Sequence, residues 1–273
     1  MTPETEDAIR AVLAQGWVKD VHWLPSVDST SDEARRCVTN SQSSSKPSTD
    51  CPILIVADKQ TKGRGRGNHR WWSPSGCLMM TLVIDSSHMP SESMHWSQLA
   101  LVVGLAVANT VEHFSAEESV QLKWPNDVYL SGKKCSGILI ESGAAQARKL
   151  PQTWLIGIGL NVNMNWMMAP PEISQRATCI SSQRENSVHI TDVVPNLIST
   201  IECSIQKWSA GQKDWQAEWQ RRCLLSGMEV EVNLPGNEII SGVCEGIDSR
   251  GQLLVRTPTQ TVSLLSGEIV SWK

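Results

Sequence analysis

A segment rich in glycine and arginine gives the strongest sign of chemistry in this chain of 273 residues. Residues 62–74, here called the Gly-Arg loop, read KGRGRGNHRWWSP, so that Arg64 and Arg66 alternate with glycines. Glycine lets the backbone adopt many conformations, and guanidinium groups make charge-assisted hydrogen bonds to carboxylates and phosphates. The segment therefore predicts a loop that can close over an anionic ligand.

Familiar phosphate-binding motifs do not account for the Gly-Arg loop. It lacks the Gly-x-x-x-x-Gly-Lys-Ser/Thr spacing of a P-loop, and it is not a Gly-x-Gly-x-x-Gly segment that opens a helix. A disordered RNA-binding tether or a solvated loop would have a similar composition. The location between two apolar runs of strand length, residues 53–57 and 78–84, favours an active-site loop within a folded domain.

Two later segments combine charged side chains with turn residues. Residues 123–127 read KWPND, where Pro-Asn-Asp suits a turn between strands and can also present a carboxylate. Residues 132–139 read GKKCSGIL, where two lysines after a glycine would alone indicate an ordinary charged turn. From local pattern, both segments remain open to a purely structural interpretation.

The composition and net charge of the chain argue against several classes of protein. A formal net charge of −4 argues against broad non-specific nucleic-acid binding, which needs a basic surface. The acidic N-terminal residues do not resemble a secretory signal, and no apolar run suits a membrane span. The eight cysteines lie far apart without a Cys-x-x-Cys pair, and no His/Cys cluster has metal-ligand spacing. We expect a cytoplasmic protein without its own metal site that binds neither DNA nor membrane.

Hydrophobic periodicity predicts the elements that must position these segments. Helices are expected over residues 3–15, 94–113, 192–208 and 213–224, and a capping box at residues 30–33 predicts one more helix. Strands are expected over residues 21–24, 53–57, 78–84, 121–123, 128–130, 136–141 and 154–162. Residues 40–50 are rich in serine and predict a surface insertion.

The pattern changes in the last part of the chain. Short strand-like runs separated by glycines from residue 228 onward predict a small β domain. We therefore expect an α+β catalytic domain over residues 1–224 and a small β domain over residues 225–273. Only about 20 residues precede the first predicted strand, whereas a helix-turn-helix module would need about 50–60, so no such module is expected.

Four segments of the chain, taken in order, resemble biotin–protein ligases, also called holocarboxylase synthetases. The matching segments are Asp28-Ser29-Thr30-Ser31, residues 60–74, residues 123–127 and residues 132–139. The resemblance implies a mixed-sheet catalytic domain of the class II synthetase and biotin-lipoate ligase type, followed by a small C-terminal SH3-like β-barrel. It implies the monofunctional type, which lacks the N-terminal DNA-binding domain.

The activity implied by the resemblance is that of a biotin–[biotin carboxyl-carrier protein] ligase. Such an enzyme forms biotinyl-5′-AMP from biotin and ATP, with Mg²⁺ brought by the ATP phosphates. It then transfers biotin to a specific lysine of a biotin carboxyl carrier domain, the expected partner. A monomer or a homodimer is expected.

The resemblance also assigns roles to individual residues. The catalytic residues that it implies are Lys134, Arg66 and Asp127. The biotin-binding positions are Ser29, Thr30, Gln60, Arg64, Gly65, Arg66, Lys134, Gly137 and Leu139. The nucleotide-binding positions are Arg66, Trp71, Lys123, Asn126 and Asn161. Local pattern offers competing interpretations for two of these residues, since Thr30 could be a helix cap and Asn161 a residue of a strand-end turn.

Other functions stay open from sequence alone. A lipoate or octanoate–protein ligase shares the carrier-lysine target, although the two motifs at residues 63–66 and 123–127 favour biotin. A biotin-sensing regulator would need the DNA-binding module, and a non-enzymatic RNA binder would need a second basic stripe. Gly67 and Asn68 stand where many bacterial members of the family have arginine and glycine, so the shape of the closed loop is expected to differ.

Overall fold

The computed structural model describes residues 1–43, 51–88, 96–115, 120–143, 152–183 and 187–273. Its helices are α1 (Pro3–Ala14), α2 (Thr30–Ser43), α3 (Trp96–Phe114), α4 (Pro171–Ser174), α5 (Ile190–Ser209) and α6 (Asp214–Arg222). Its first seven strands are β1 (Asp20–Leu24), β2 (Ile53–Ala57), β3 (Cys77–Asp85), β4 (Val120–Lys123), β5 (Asp127–Leu130), β6 (Lys133–Gly143) and β7 (Thr153–Asn161). The last five are β8 (Glu229–Asn233), β9 (Ile239–Ile247), β10 (Leu253–Arg256), β11 (Thr261–Leu264) and β12 (Glu268–Trp272).

The first seven strands of the described chain form one mixed sheet in the order β1-β2-β3-β7-β6-β5-β4. β1 and β2 run parallel, and the other neighbouring strands are antiparallel. Each strand predicted from periodicity is present within one or a few residues of its expected bounds. The predicted α+β class with a mixed sheet is confirmed.

The two faces of the sheet are covered by different helices. Successive residues of a strand point to opposite faces. Leu54 and Val56 of β2 join the main apolar core with side chains of α3 and α5, whereas Ile55 packs with Ala34 and Val38 of α2. The long apolar helix α3 thus closes one face, and the shorter α2 covers only part of the other.

Glycines on neighbouring strands leave a trough on the face that α2 covers in part. Gly137 of β6 lies opposite Gly159 of β7, and Gly157 lies opposite Leu139 in the next row of this face. Trp71 of the Gly-Arg loop rests on the first pair. A Cβ added at Gly159 would lie 2.4 Å from Trp71 Cε2, and one added at Gly137 would lie 3.2 Å from Trp71 Cζ3. The missing side chains therefore make the space that the indole ring occupies.

The start of α2 differs from the predicted capping box. Thr30 is the first residue of the helix, and the Glu33 N–H donates to the Ser29 carbonyl at 2.9 Å. The Thr30 hydroxyl instead donates to Gln60 Oε1 at 3.1 Å and accepts from the Thr81 hydroxyl at 2.9 Å. The capping-box prediction is wrong because tertiary partners from β3 and from the segment after β2 take this hydroxyl.

Other predictions about local structure are settled only in part. Helix α2 continues to Ser43, into the serine-rich segment, and residues 44–50 lie outside the described residues. Residues 94–95 of the long predicted helix also lie outside them. The short helix α4 was not predicted, although Pro171 suits the first turn of a helix.

The last five strands form an antiparallel sheet in the order β11-β10-β9-β8-β12, which confirms the predicted small β domain. Helix α6 attaches this sheet, because Gln220 donates to the Glu245 carbonyl at 3.2 Å and accepts from the Ile247 N–H at 3.1 Å. One continuous apolar core runs from Trp219 through Leu225 into the sheet. The division of the chain at residues 224 and 225 stays a prediction. Among the described residues, no helix has the length and apolar character needed to span a bilayer.

We expect Gly159→Ala to lower the free energy of unfolding by about 1–3 kcal/mol, the usual cost of overpacking a site without room. Urea denaturation measures this change in the wild type and in a Trp71→Ala background. The cost should largely disappear in that background, because the new methyl group would then meet no ring. An equal cost in both backgrounds would show that Trp71 does not fill the trough.

Candidate active site

A cavity of about 800 Å³ lies beside α2, at the trough. Its walls come from the start of α2, the Gly-Arg loop, residues 123–127, β6, β7 and the C-terminal sheet. Among the residues predicted for the site, those that line the cavity are Ser29, Thr30, Gln60, Arg64, Gly65, Arg66, Trp71, Lys123, Asn126, Asp127, Lys134, Gly137 and Leu139. Segments that range from residue 29 to residue 269 of the chain therefore meet around one space.

Lys134 and Asp127 form an ion pair in the wall of the cavity. Lys134 Nζ lies 2.6 Å from Asp127 Oδ1, although the groups are not aligned for a hydrogen bond. The Lys134 backbone is fixed, because its N–H donates to the Arg176 carbonyl at 2.9 Å and its carbonyl accepts from the Thr178 N–H at 3.0 Å. The Lys134 side chain passes over Gly137, where an added Cβ would lie 3.5 Å from Nζ. The fixed backbone of Lys134 and the charge of Asp127 thus hold the ammonium group in place, and the Lys134 side chain is still one-third exposed.

Arg66 reaches from the Gly-Arg loop to two other segments. Its guanidinium donates to Asn126 Oδ1 at 3.3 Å and to the Gly267 carbonyl at 3.2 Å. Burial lowers the pKa of Arg66, an effect opposed by the charges of Asp127 and Glu268. These hydrogen bonds go to neutral oxygens, so the guanidinium keeps its charge available for a bound anion.

Lys123 is a second partly buried cation at this site. Its Nζ lies 3.9 Å from the ring centroid of Trp272, near the end of β12, in the geometry of a cation–π contact. Burial lowers the pKa of Lys123, with Asp127 raising it and Lys134 lowering it further. The C-terminal sheet therefore supplies a contact to the same charged cluster.

The cavity is positive although the whole chain is acidic. Among the described residues that line it, the lysines and arginines are Arg64, Arg66, Arg70, Lys123 and Lys134, and the carboxylates are Asp127 and Glu268. Clefts lined by one sign of charge concentrate ligands of the opposite sign. The excess of cations suits a substrate that carries carboxylate or phosphate groups.

A separate group of lining residues is polar but uncharged. Gln60 Oε1 accepts from the Thr30 N–H at 2.8 Å and from its hydroxyl at 3.1 Å, and Gln60 Nε2 donates to Ser73 Oγ at 3.3 Å. Ser29 and Thr30 are almost fully buried. Fixed donors and acceptors of this kind suit recognition of a neutral polar group in an otherwise apolar pocket.

Asn161 is the predicted site residue that does not line the cavity. It is buried, and its Nδ2 donates to the Thr178 carbonyl at 2.9 Å. It therefore supports the segment that pairs with Lys134. A direct contact of Asn161 with nucleotide stays a prediction.

Sequence reasoning missed many lining residues, among them Ser31, Gly157, Gly159, Gly267 and Glu268. The alternating glycines in the apolar strand β7 carried a usable signal, since glycine inside a strand often marks a close approach of another group. Gly267 and Glu268 gave no signal in the sequence, because only the packing of the C-terminal sheet brings them close to the Gly-Arg loop. Within the described ranges, no three His, Cys, Asp or Glu side chains are grouped to hold a metal ion.

Comparison with known proteins agrees with this geometry. Residues 23–161 match the model of the biotin/lipoate A/B protein ligase family, and residues 225–272 match the biotin protein ligase C-terminal domain. The chain is 29% identical over 221 residues to a biotin–[acetyl-CoA-carboxylase] ligase of Mycobacterium tuberculosis, covering 80% of this chain and 78% of that protein. It is 30% identical to the bifunctional ligase/repressor BirA of Bacillus subtilis, covering 79% of this chain and 65% of that protein.

A solved structure gives the same result for the fold. The biotin protein ligase of Aquifex aeolicus in complex with biotin and ATP superposes with a TM-score of 0.76 at 29% identity, covering 93% of this chain and 99% of that chain. The family match covers half of the chain and includes the trough, the Gly-Arg loop and the Lys134–Asp127 pair. This chain is a member of the biotin/lipoate A/B protein ligase family and carries the C-terminal domain of biotin protein ligases.

Proposed function

We propose that this enzyme forms biotinyl-5′-AMP from biotin and ATP and then transfers biotin to a lysine of a biotin carboxyl carrier domain. The observation that carries the proposal is the convergence of Arg66, Lys134 and Asp127 on one positively charged cavity. The names of the relatives and the biotin and ATP in the Aquifex aeolicus complex support it.

In the first step, a carboxylate oxygen of biotin attacks the α-phosphorus of ATP, and the bond to pyrophosphate breaks. Both reactants are anionic, so their approach costs energy unless fixed cations stand beside them. Arg66 and Lys134 supply such cations, and Asp127 holds the Lys134 ammonium in position. We propose that Mg²⁺ enters with the ATP phosphates, where it would neutralise further charge.

In the second step, the amine of the acceptor lysine attacks the acyl carbon, and AMP leaves. The amine must lose a proton to become a product amide. Asp127 lines the cavity and is the carboxylate nearest to Lys134, so we assign it the orientation of the amine and the acceptance of that proton. The indole of Trp71, which shields one wall, would limit access of water to the acyl phosphate.

The uncharged residues around Gln60 favour biotin over lipoate. The ureido ring of biotin is neutral and has both hydrogen-bond donors and acceptors, whereas the dithiolane ring of lipoate has neither N–H nor C=O groups. Ser29, Thr30 and Gln60 can make hydrogen bonds to the ureido ring that the dithiolane ring cannot make, and each such bond contributes about 0.5–1.5 kcal/mol. Assignment of the carrier domain as partner, the cytoplasmic location and the absence of DNA binding stay predictions.

Incubation with ATP, Mg²⁺ and a biotin carboxyl carrier domain tests the function directly. Labelled biotin should appear on the carrier lysine, and labelled lipoate should appear at a rate at least about a hundredfold lower. Equal labelling with lipoate would contradict the assignment of Ser29, Thr30 and Gln60. Absence of any labelled carrier, together with no pyrophosphate release, would overturn the proposed activity.

Lys134→Met should reduce biotin-dependent pyrophosphate release by about a hundredfold to a thousandfold, the usual loss when one fixed charge at a transition state is removed. Lys133→Met is the matched control, because Lys133 is the neighbouring residue on β6, is exposed and does not line the cavity. Its rate should stay close to that of the wild type. Similar rates for the two variants would refute the role given to Lys134.

A further inference from the structure

Arg64 of the Gly-Arg loop is paired with carboxylates of the protein itself. Its Nη1 contacts Asp32 Oδ1 of α2, and its Nη2 contacts Glu141 Oε1 of β6. Both carboxylates are largely shielded, with side chains 30% and 18% exposed. Arg66, two residues later, donates to neutral oxygens. The two arginines of the loop therefore stand in different electrostatic surroundings.

Both partners of Arg64 belong to elements that build the cavity. Asp32 lies in the first turn of α2, directly after the lining residues at its start. Glu141 lies two residues after Leu139 and so on the same face of β6. One guanidinium thus joins three parts of the wall that are distant in sequence.

We propose that Arg64 is a positioning residue whose ion pairs with Asp32 and Glu141 latch the Gly-Arg loop against α2 and β6. The proposal rests on the proposed function, in which the loop covers a reactive acyl phosphate. Arg64 and Arg35 share the two carboxylates, so the four charges of this cluster cancel and it offers little net attraction to a further anion. We therefore assign the substrate anions to Arg66 and Lys134. The charge-assisted pairs offset the entropy lost when the glycine-rich backbone is ordered.

The isosteric changes Glu141→Gln and Asp32→Asn weaken the latch without removing volume. We expect each to raise both the KM for biotin and the release of free biotinyl-adenylate into solution by about tenfold, as for one lost charge-assisted hydrogen bond. The kcat for adenylate formation should change by no more than about twofold, because Arg66 and Lys134 are untouched. With biotin and ATP present, trypsin should cut the loop after Arg66 faster in both variants.

Arg35 provides the matched control. It contacts the same two carboxylates, at 2.9 Å to Asp32 and 3.1 Å to Glu141, but it belongs to α2 and not to the loop. Arg35→Met should therefore leave adenylate release and tryptic cleavage unchanged. Asp32→Glu, which keeps the negative charge, should restore at least part of the loss seen in Asp32→Asn.

A double-mutant cycle separates the latch from direct substrate binding by Arg64. If Arg64 is a latch, Glu141→Gln raises the KM for biotin, Arg64→Met raises it at least as much because both ion pairs are lost, and the double variant is no worse than Arg64→Met. If Arg64 binds the substrate anion, Glu141→Gln leaves the KM unchanged or lowers it, and the proposal is overturned. Melting temperatures of all variants identify any that fail to fold, and the Asp32 variants then distinguish the two roles of Arg64.

The latch and the proposed function can fail separately. A wild-type protein that makes no biotinyl-adenylate would refute the proposed function. A wild-type protein that makes it, with Glu141→Gln and Asp32→Asn variants that release it no faster, would refute the latch alone.

Discussion

The absence of side chains at Gly137 and Gly159, facing each other on β6 and β7, sets the shape of the site. Strand neighbours in a sheet lie about 5 Å apart, so side chains at these positions would cover the face that the loop approaches. The pair instead leaves room for the indole of Trp71, which rests on the strands. This contact and the ion pairs of Arg64 together hold the Gly-Arg loop against the sheet.

The charged residues around the cavity have different partners and different roles, although the chain as a whole is acidic. Arg64 shares two carboxylates of the protein with Arg35 and joins elements of the wall. Arg66 and Lys123 are desolvated, and the contacts described for them are with an amide, a carbonyl and an aromatic ring. Partly buried cations of this kind interact more strongly with anions than exposed ones do, because less solvent screens them. Lys134 is intermediate between Arg64 and Arg66, since it has one carboxylate partner, Asp127, and stays partly exposed.

The C-terminal sheet completes the site as well as the core. It contributes the Gly267 carbonyl to Arg66 and the ring of Trp272 to Lys123, and its apolar side chains continue the core of the first sheet. Trp124 adds a buried link, because its indole N–H donates to the Gly251 carbonyl at 3.2 Å. Residues 123–127 are therefore held from both sides, by the large sheet and by the small one.

The sequence by itself determined the order of the elements, and all but one of the residues predicted for the site line the cavity. Periodicity located the strands of the large sheet, because buried strands such as β2 and β3 are continuous apolar runs of characteristic length. The Gly-Arg loop was located by its own composition, whereas residues 123–127 and Lys134 were assigned through the resemblance to biotin–protein ligases. Asn161 shows the limit of this reasoning, since a polar residue at a strand end can either contact the ligand or hydrogen-bond to the protein backbone behind the cavity, as Asn161 does.

Only the tertiary structure decided the partners of these residues. Arg64 forms ion pairs with Asp32 and Glu141. The Thr30 hydroxyl bonds to Gln60 and Thr81 instead of capping a helix. The Gly267 carbonyl accepts a hydrogen bond from Arg66. Each contact joins residues about 30 to 200 positions apart, so no local pattern encodes it. Sequence patterns report the preferences of single segments, whereas ion pairs and hydrogen bonds between segments depend on the packing of the sheets that carry them.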